Sequence, residues 1–202
     1  MFNKRWLFFS YLVISFGSIG YMITNNYQFF ESSALTASWL DNQVPFLVWT
    51  VPFYLMIFPS IVAIPWLLKN ENMFRRSFWG SFILCVSSLL VFVVFPTHIN
   101  EREMIAPVIE SSSFWKPWYG FVYQFDTANN CLPSFHVSMG VICTLMFYKE
   151  RPIVFWVYFV MAILVAVSTL TMKQHYFVDV LGGVVFGILS YLIALKIFPI
   201  KK

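Results

Sequence analysis

Six apolar stretches, near residues 6–24, 46–68, 78–96, 134–149, 152–170 and 175–198, constrain this chain more than any other feature. Each approaches the roughly 20 residues that cross a bilayer as a helix. In hydrocarbon a backbone must satisfy its own hydrogen bonds, so only helices and closed barrels cross. The strand-like alternation of polar and apolar residues that marks a barrel is absent. The expected fold is therefore all-α: an integral membrane bundle of six transmembrane helices in a single membrane domain, residues 1–202. Only 11% of residues are charged, against about 25% in a soluble domain, so there is too little charge to solvate this much apolar surface. The stretch after Lys4-Arg5 is long for a signal peptide and five more follow it, so it reads as a retained first helix.

The connections divide by charge. Termini and even-to-odd connections carry Lys4, Arg5, Lys69, Arg75, Arg76, Lys149, Arg151, Lys196, Lys201 and Lys202, while the opposite side holds only Arg102, Lys116 and Lys173. Acidic residues reverse the pattern: Glu31, Asp41, Glu101, Glu103, Glu110, Asp126 and Asp179 oppose Glu71 and Glu150. Basic residues gather on the cytoplasmic side of membrane proteins, so both termini are expected there, in a cell membrane. Loops 25–45 and 97–133 and the turn at 171–174 then face outward. The first two carry mixed segments, 25–45 and 104–120, with the pattern of interfacial helices. Tryptophans cluster near both expected boundaries, as interfacial belts do. Topology explains the net charge of +4, and no basic patch of the kind nucleic acid requires is present.

Ionisable groups at such boundaries are costly and tend to be functional. Two short strings on the outer side, Pro133-Ser134-Phe135-His136 and Lys173-Gln174-His175-Tyr176-Phe177-Val178-Asp179, hold two of the three histidines. His175 and Asp179 are four apart at a helix start and share one face. A carboxylate beside an imidazole fixes its tautomer and raises its basicity, which suits a histidine nucleophile; a structural capping pair is the alternative. Ser134 is a candidate N-cap, so His136 lies at a helix N-terminus, where free N–H groups favour phosphate. It suits a general acid, or else an interfacial histidine bonded to a loop carbonyl. Arg102 and Lys173 are candidate phosphate cations, with headgroup anchoring as the other reading; Lys116, between Trp115 and Pro117, reads as an anchor. Two histidines and a carboxylate are also metal-binding chemistry. Asp179, however, is well placed to orient His175, and nearby cations repel a metal ion, so no metal or other cofactor is expected. Cys85, Cys131 and Cys143 lack metal-ligand spacing and read as packing residues.

These residues resemble the type 2 phosphatidic acid phosphatase superfamily. Its second motif is matched by Pro133-Ser134-Phe135-His136, with Phe135 where glycine is common. Its third, SRxxxxxHxxxD, is matched by Ser168, His175 and Asp179, with Thr169 in place of the arginine. The string from Thr171 to Val180, with Asp126-Thr127 and Asn129-Asn130, is similar to the branch of inositol-phosphorylceramide and sphingomyelin synthases. The first motif is poorly kept: Arg102 is the candidate for its arginine, Phe95 stands at the lysine position and Glu103 replaces proline. The resemblance covers about residues 78–198. It implies His175 as nucleophile through a phosphohistidine, Asp179 as its orienting partner, and His136 as acid and then base. It also implies Arg102, Lys173 and Ser134 as phosphate ligands, and no metal.

The expected function is a lipid phosphatase acting on a lipid phosphate or isoprenyl diphosphate at the outer face. A headgroup phosphotransferase of the same chemistry and a non-catalytic lipid-binding or transport relative are the alternatives. The expected partners are the lipid substrate and the bilayer. Gly183 and Gly187 form a small-xxx-small face suited to helix packing, between copies or within one.

Overall fold

The computed structural model describes residues 4–200, without the side chains of Lys4 and Glu103. Lys201 and Lys202, two of the charges that set the expected orientation, lie outside the described residues. Ten α-helices are described: α1 (Lys4–Asn26), α2 (Trp39–Gln43), α3 (Val51–Leu55), α4 (Ile57–Leu67), α5 (Glu71–Val94), α6 (Glu101–Glu110), α7 (Lys116–Phe125), α8 (Phe135–Leu145), α9 (Pro152–Thr171) and α10 (Phe177–Ile197). A two-residue parallel ladder, β1 (Ser33–Ala34) with β2 (Thr97–His98), ties two of the long loops together. With an isolated antiparallel bridge between His98 and Asn129, it is the departure from an all-helical chain among the described residues.

Five segments are long and apolar enough to cross a membrane: Arg5–Asn26, Val48–Leu67, Glu71–Val94, Pro152–Thr171 and Phe177–Ile197. The fourth expected stretch forms only the 11-residue α8, and by length it falls short of a crossing. The third begins at Glu71 rather than 78, because Asn70 caps it by accepting from the Met73 N–H at 2.8 Å and Glu71 occupies the first turn. Acidic residues there complement the helix dipole. Segment 48–67 runs through a short 3-10 turn, α3 and α4, and the Met56 N–H still donates to Pro52 across their junction. Proline in such a helix is tolerated where neighbouring elements meet the freed backbone groups. The mixed loop segments become α2, α6 and α7, as short helices.

The main core gathers around α8. Met139, Ile142, Cys143 and Met146 pack with Ile57, Leu84, Val165 and Tyr191 from α4, α5, α9 and α10. The outward faces stay apolar: on α9, Ile153, Trp156, Val157, Val160, Ile163 and Val167 are all exposed. A soluble protein rarely leaves such a continuous apolar surface uncovered, whereas a multi-pass membrane protein presents it to lipid. Glycines set the closest approach. A Cβ on Gly183 would lie 2.6 Å from the Ser134 carbonyl oxygen, and one on Gly187 2.8 Å from that of Ser138. The small-residue face of α10 is therefore used within the chain, against α8. At the end away from both histidines, the buried Arg76 pairs with Glu150 and donates to the Phe198 carbonyl at 3.1 Å, joining α5 to the 146–151 turn and the end of α10.

Candidate active site

The N-termini of α8 and α10, the C-terminus of α9 and loop 95–133 meet at one end of the bundle. Ser134 caps α8, its Oγ accepting from the Val137 N–H at 3.4 Å, and its own N–H donates to the Asp179 carbonyl at 3.0 Å. That last bond joins the two motif strings directly. The α9-to-α10 turn is folded by the Thr169 carbonyl, which accepts from both Gln174 and His175 N–H at 2.9 and 3.2 Å, while Lys173 adopts a left-handed φ of 55°. The chain thus reverses in the five residues between α9 and α10 and delivers His175 beside the first turn of α10. The His136 and His175 rings lie with centres 6.2 Å apart, close enough for one phosphoryl group to touch both.

His175 Nδ1 stands 3.4 Å from Asp179 Oδ2, and both side chains are buried. That separation is an ion-pair distance rather than a well-aligned hydrogen bond, and catalytic contacts often tighten only with substrate. Oδ2 also accepts from the Tyr176 N–H at 2.8 Å, so the carboxylate both faces the imidazole and caps α10. Asp179 Oδ1 has no protein partner.

The two candidate cations have different surroundings. Arg102 donates to Gln174 Oε1 at 2.5 Å and stacks over the Tyr123 ring at 4.4 Å, which aims it beside His175 through the adjoining residue. Its Nε is buried without a partner. Burial raises the Tyr123 phenol pKa, and Arg102 opposes that rise. Lys173 Nζ instead donates to the Asp41 carbonyl at 3.0 Å. Asp41 Oδ1 accepts from the Phe177 N–H at 2.7 Å, so loop 38–43 and the start of α10 are pinned together.

Three neighbours of the histidines had no role assigned from the sequence. Cys131, read there as packing, has its donor atom within 4.8 Å of those of His175 and Asp179. Burial, and behind it Asp179 and Asp126, push its thiol well above the ordinary value. A thiol is a weak ligand compared with a thiolate, and Asp179 Oδ2 already serves Tyr176 and faces His175. This cluster therefore fits a proton-holding pair with a neutral thiol packed against it. Tyr54 and Asp126 are the others. Asp126 Oδ2 accepts from the Tyr54 hydroxyl and Oδ1 from that of Tyr21 at 2.6 Å, and the Tyr54 oxygen lies 3.4 Å from His136 Nδ1. Asp126 stands in a string that carries the branch resemblance, but nothing local signals its partners, since these contacts span 72, 105 and 82 residues.

A cavity of about 530 Å³ opens beside His136, Tyr54 and Asp126 and continues between α1 and α4, lined by Ile14, Gly17, Phe58 and Ile61 and covered by Phe121 of α7. Its wall is almost wholly apolar apart from that corner, and its size lies in the range of small-ligand pockets.

The model of the PAP2 superfamily matches residues 26–193. An uncharacterized protein of Methanocaldococcus jannaschii is 40% identical over 60 residues, a stretch that covers 30% of this chain and 25% of that protein. This chain therefore aligns with about a quarter of that relative. No solved structure matches.

Proposed function

This chain belongs to the PAP2 superfamily, and from that membership we propose that it is a lipid phosphatase which hydrolyses a lipid phosphate or isoprenyl diphosphate through a phosphohistidine, without a metal. The superfamily's chemistry is that of phosphatases and phosphotransferases acting on lipid phosphates, and the apolar helices fit a multi-pass membrane protein. The observation that carries the reading is the pair of histidine rings 6.2 Å apart beside an apolar cavity wide enough for a lipid tail.

In this reading Nε2 of His175 attacks phosphorus while Asp179 faces Nδ1. His136 gives a proton to the leaving oxygen and then takes one from water. Ser134 Oγ accepts from Val137, which leaves its own proton for a phosphate oxygen, and the first N–H groups of α8 point the same way. Arg102 supplies the nearest guanidinium, and Lys173 adds a second charge once it leaves the Asp41 carbonyl. Electrostatic stabilisation of the phosphoryl group dominates such transfers. The whole chain forms one membrane domain with its phosphatase-like core at about 78–198. We take α8 as the sixth crossing: its neighbours sheathe it, and turn 146–151 extends it. Both termini then lie in the cytoplasm and the site faces outward from a cell membrane, as the basic residues indicate.

His136 and His175 are only 7% and 5% exposed. Such burial limits the access of bulk water, and this keeps headgroup transfer, to an alcohol delivered by a second lipid, as the second reading. A panel of lipid phosphates offered to the purified protein, with His175→Ala as control, tests both. Free phosphate from the wild type alone supports hydrolysis, and a labelled headgroup on a second lipid supports transfer. Phosphate release that survives in His175→Ala would sink the phosphohistidine, and unchanged cellular function in that variant would point to a non-catalytic role.

A further inference from the structure

The acid–base histidine has neighbours that neither motif string contains. The His136 ring lies 4.3 Å from the Tyr54 ring centre, with Phe58 and Tyr21 edge-on at 5.9 and 6.3 Å. Among the described residues, the Tyr54 oxygen is the one polar side-chain atom within bonding reach of its Nδ1, at 3.4 Å. A phenol has a single proton, and Tyr54 gives it to Asp126 Oδ2. The oxygen therefore has only lone pairs left for His136 and accepts from Nδ1–H. Asp126 cannot swing away, because Tyr21 holds Oδ1 at 2.6 Å. Thr127, the next residue, is fixed to the end of α1, its N–H donating to Asn25 Oδ1 at 2.7 Å and its hydroxyl to the Asn25 carbonyl at 2.9 Å.

We propose that Tyr54 and Asp126, steadied by Tyr21, are positioning residues for His136: they keep a proton on Nδ1, leave Nε2 to exchange protons with substrate, and hold the imidazolium when it forms. This rests on the phosphatase reading above. In the first step His136 starts as the imidazolium: a nitrogen of His175 bonds to phosphorus, the ester P–O bond breaks, and the Nε2 proton of His136 goes to the leaving oxygen, leaving the ring neutral with its proton on Nδ1. In the second, Nε2 takes a proton from water as the water oxygen bonds to phosphorus and the N–P bond breaks. Throughout, the Tyr54 proton stays in its bond to Asp126, two hydrogen bonds from the developing charge. Each histidine then has its own carboxylate: Asp179 directly for His175, and Asp126 through a phenol for His136.

Leaving groups separate this role from a purely structural one. An alkoxide needs a proton to depart, whereas p-nitrophenolate leaves without one. General acid–base catalysis contributes about 10²–10⁴-fold, so Tyr54→Phe and Asp126→Asn should each lower turnover of an alkyl lipid phosphate by about a hundredfold. With p-nitrophenyl phosphate both variants should keep a fast stoichiometric burst of p-nitrophenol and then turn over slowly, because the second step also needs His136. Wild-type turnover of the alkyl ester in Tyr54→Phe would overturn the proposal, and so would equal loss of the burst and of alkyl turnover. Nitrogen-15 spectra of ring-labelled protein report the tautomer without any turnover. In the neutral form of His136, Nδ1–H in the wild type and a mixture of tautomers in Tyr54→Phe support the relay; a neutral wild-type ring protonated on Nε2 alone refutes it even if the enzyme proves to be a phosphatase. Absence of phosphate release from any ester by the wild type would instead refute the phosphatase reading and leave the tautomer result standing.

Discussion

Gly183→Ala is the sharpest test of how the fold sets the site. The new Cβ would stand 2.6 Å from the Ser134 carbonyl oxygen, 3.0 Å from Val137 Cβ and 3.2 Å from the Ser138 nitrogen. Two of these three are backbone atoms at the start of α8, so no side chain can rotate to make room. Ordinary contact lies near ~3.5 Å, so α10 and α8 must part by almost 1 Å at this level. Overpacking of that kind costs about 1–3 kcal/mol. The larger effect falls on chemistry. Ser134 N–H is held by the Asp179 carbonyl at 3.0 Å, and parting the helices by that amount takes the bond beyond useful length. Ser134 and His136 ride on α8 and Asp179 on α10, so the same movement separates the two halves of the site. A misplacement of about 1 Å can cost roughly 10²-fold in rate. Thermal unfolding in detergent and kcat on a lipid phosphate should therefore show modest destabilisation with a loss of about a hundredfold. Gly120→Ala is the control, since nothing lies within 4 Å of its added Cβ. Helix propensity alone favours that change by about 0.5–1 kcal/mol. Gly183→Ala with kcat within about twofold of wild type would refute the claim that α8–α10 contact sets the histidine geometry.

Three further outcomes are expected. Arg102→Ala removes a guanidinium held by Gln174 and Tyr123; a hydrogen bond to a charged group is worth about 1.5–3 kcal/mol, so KM for a lipid phosphate should rise tenfold or more, and Arg102→Lys should rescue little because the fork is lost. Lys173→Gly relieves a left-handed φ of 55° that costs an L-residue roughly 1–2 kcal/mol, so the variant should melt no lower than wild type in detergent while its KM rises through the lost ammonium. Cys131, only 1% exposed and with its thiol pKa raised, holds less thiolate than a free cysteine at any pH below that pKa; mass spectrometry after maleimide treatment near neutral pH should find it unlabelled until the protein is denatured.

Local physics made much of this protein legible from its residues. Long apolar runs cross or line the bilayer because nothing else satisfies their backbones, and α1, α5, α9 and α10 follow those runs. His175 and Asp179, four apart, meet at the start of one helix, and Ser134 caps another as its neighbours predict. Hydropathy fails at α8. A helix sheathed by protein need not be long or uniformly apolar, so its run of sequence overstates its 11 residues. It also misses the early start of α5, where an Asn70 cap carries polar residues into the helix. Lys173 shows a different limit: its spacing from His175 was clear, but the left-handed turn that sends its ammonium to Asp41 depends on backbone bonds to Thr169 that no pattern encodes.

The division between what was visible and what was hidden follows the two histidines. His175 stands two residues before α10 and takes its carboxylate from that helix's first turn, so the four-residue spacing reveals the pair although the helix starts at Phe177 rather than at 175. His136 cannot, because the positions one turn on along α8 are Met139 and Gly140, which face α4 and α9 rather than supply a carboxylate. Its polar partners have to come from elsewhere, and they arrive from α3, α1 and the residue that ends α7. The same elements wall the apolar cavity. A lipid tail entering between α1 and α4 would therefore press on the very helices that hold Tyr54 and Tyr21 against Asp126. The proposed relay then predicts that tail binding and the proton inventory of His136 are coupled, a substrate that fills the cavity stabilising the relay that its own leaving group would need. Shortening the tail should then lower kcat as well as raise KM in the wild type, and lower kcat far less in Tyr54→Phe, where no relay remains to be stabilised. Equal loss of kcat on shortening the tail in both proteins would show that the cavity binds the lipid without acting on the histidine.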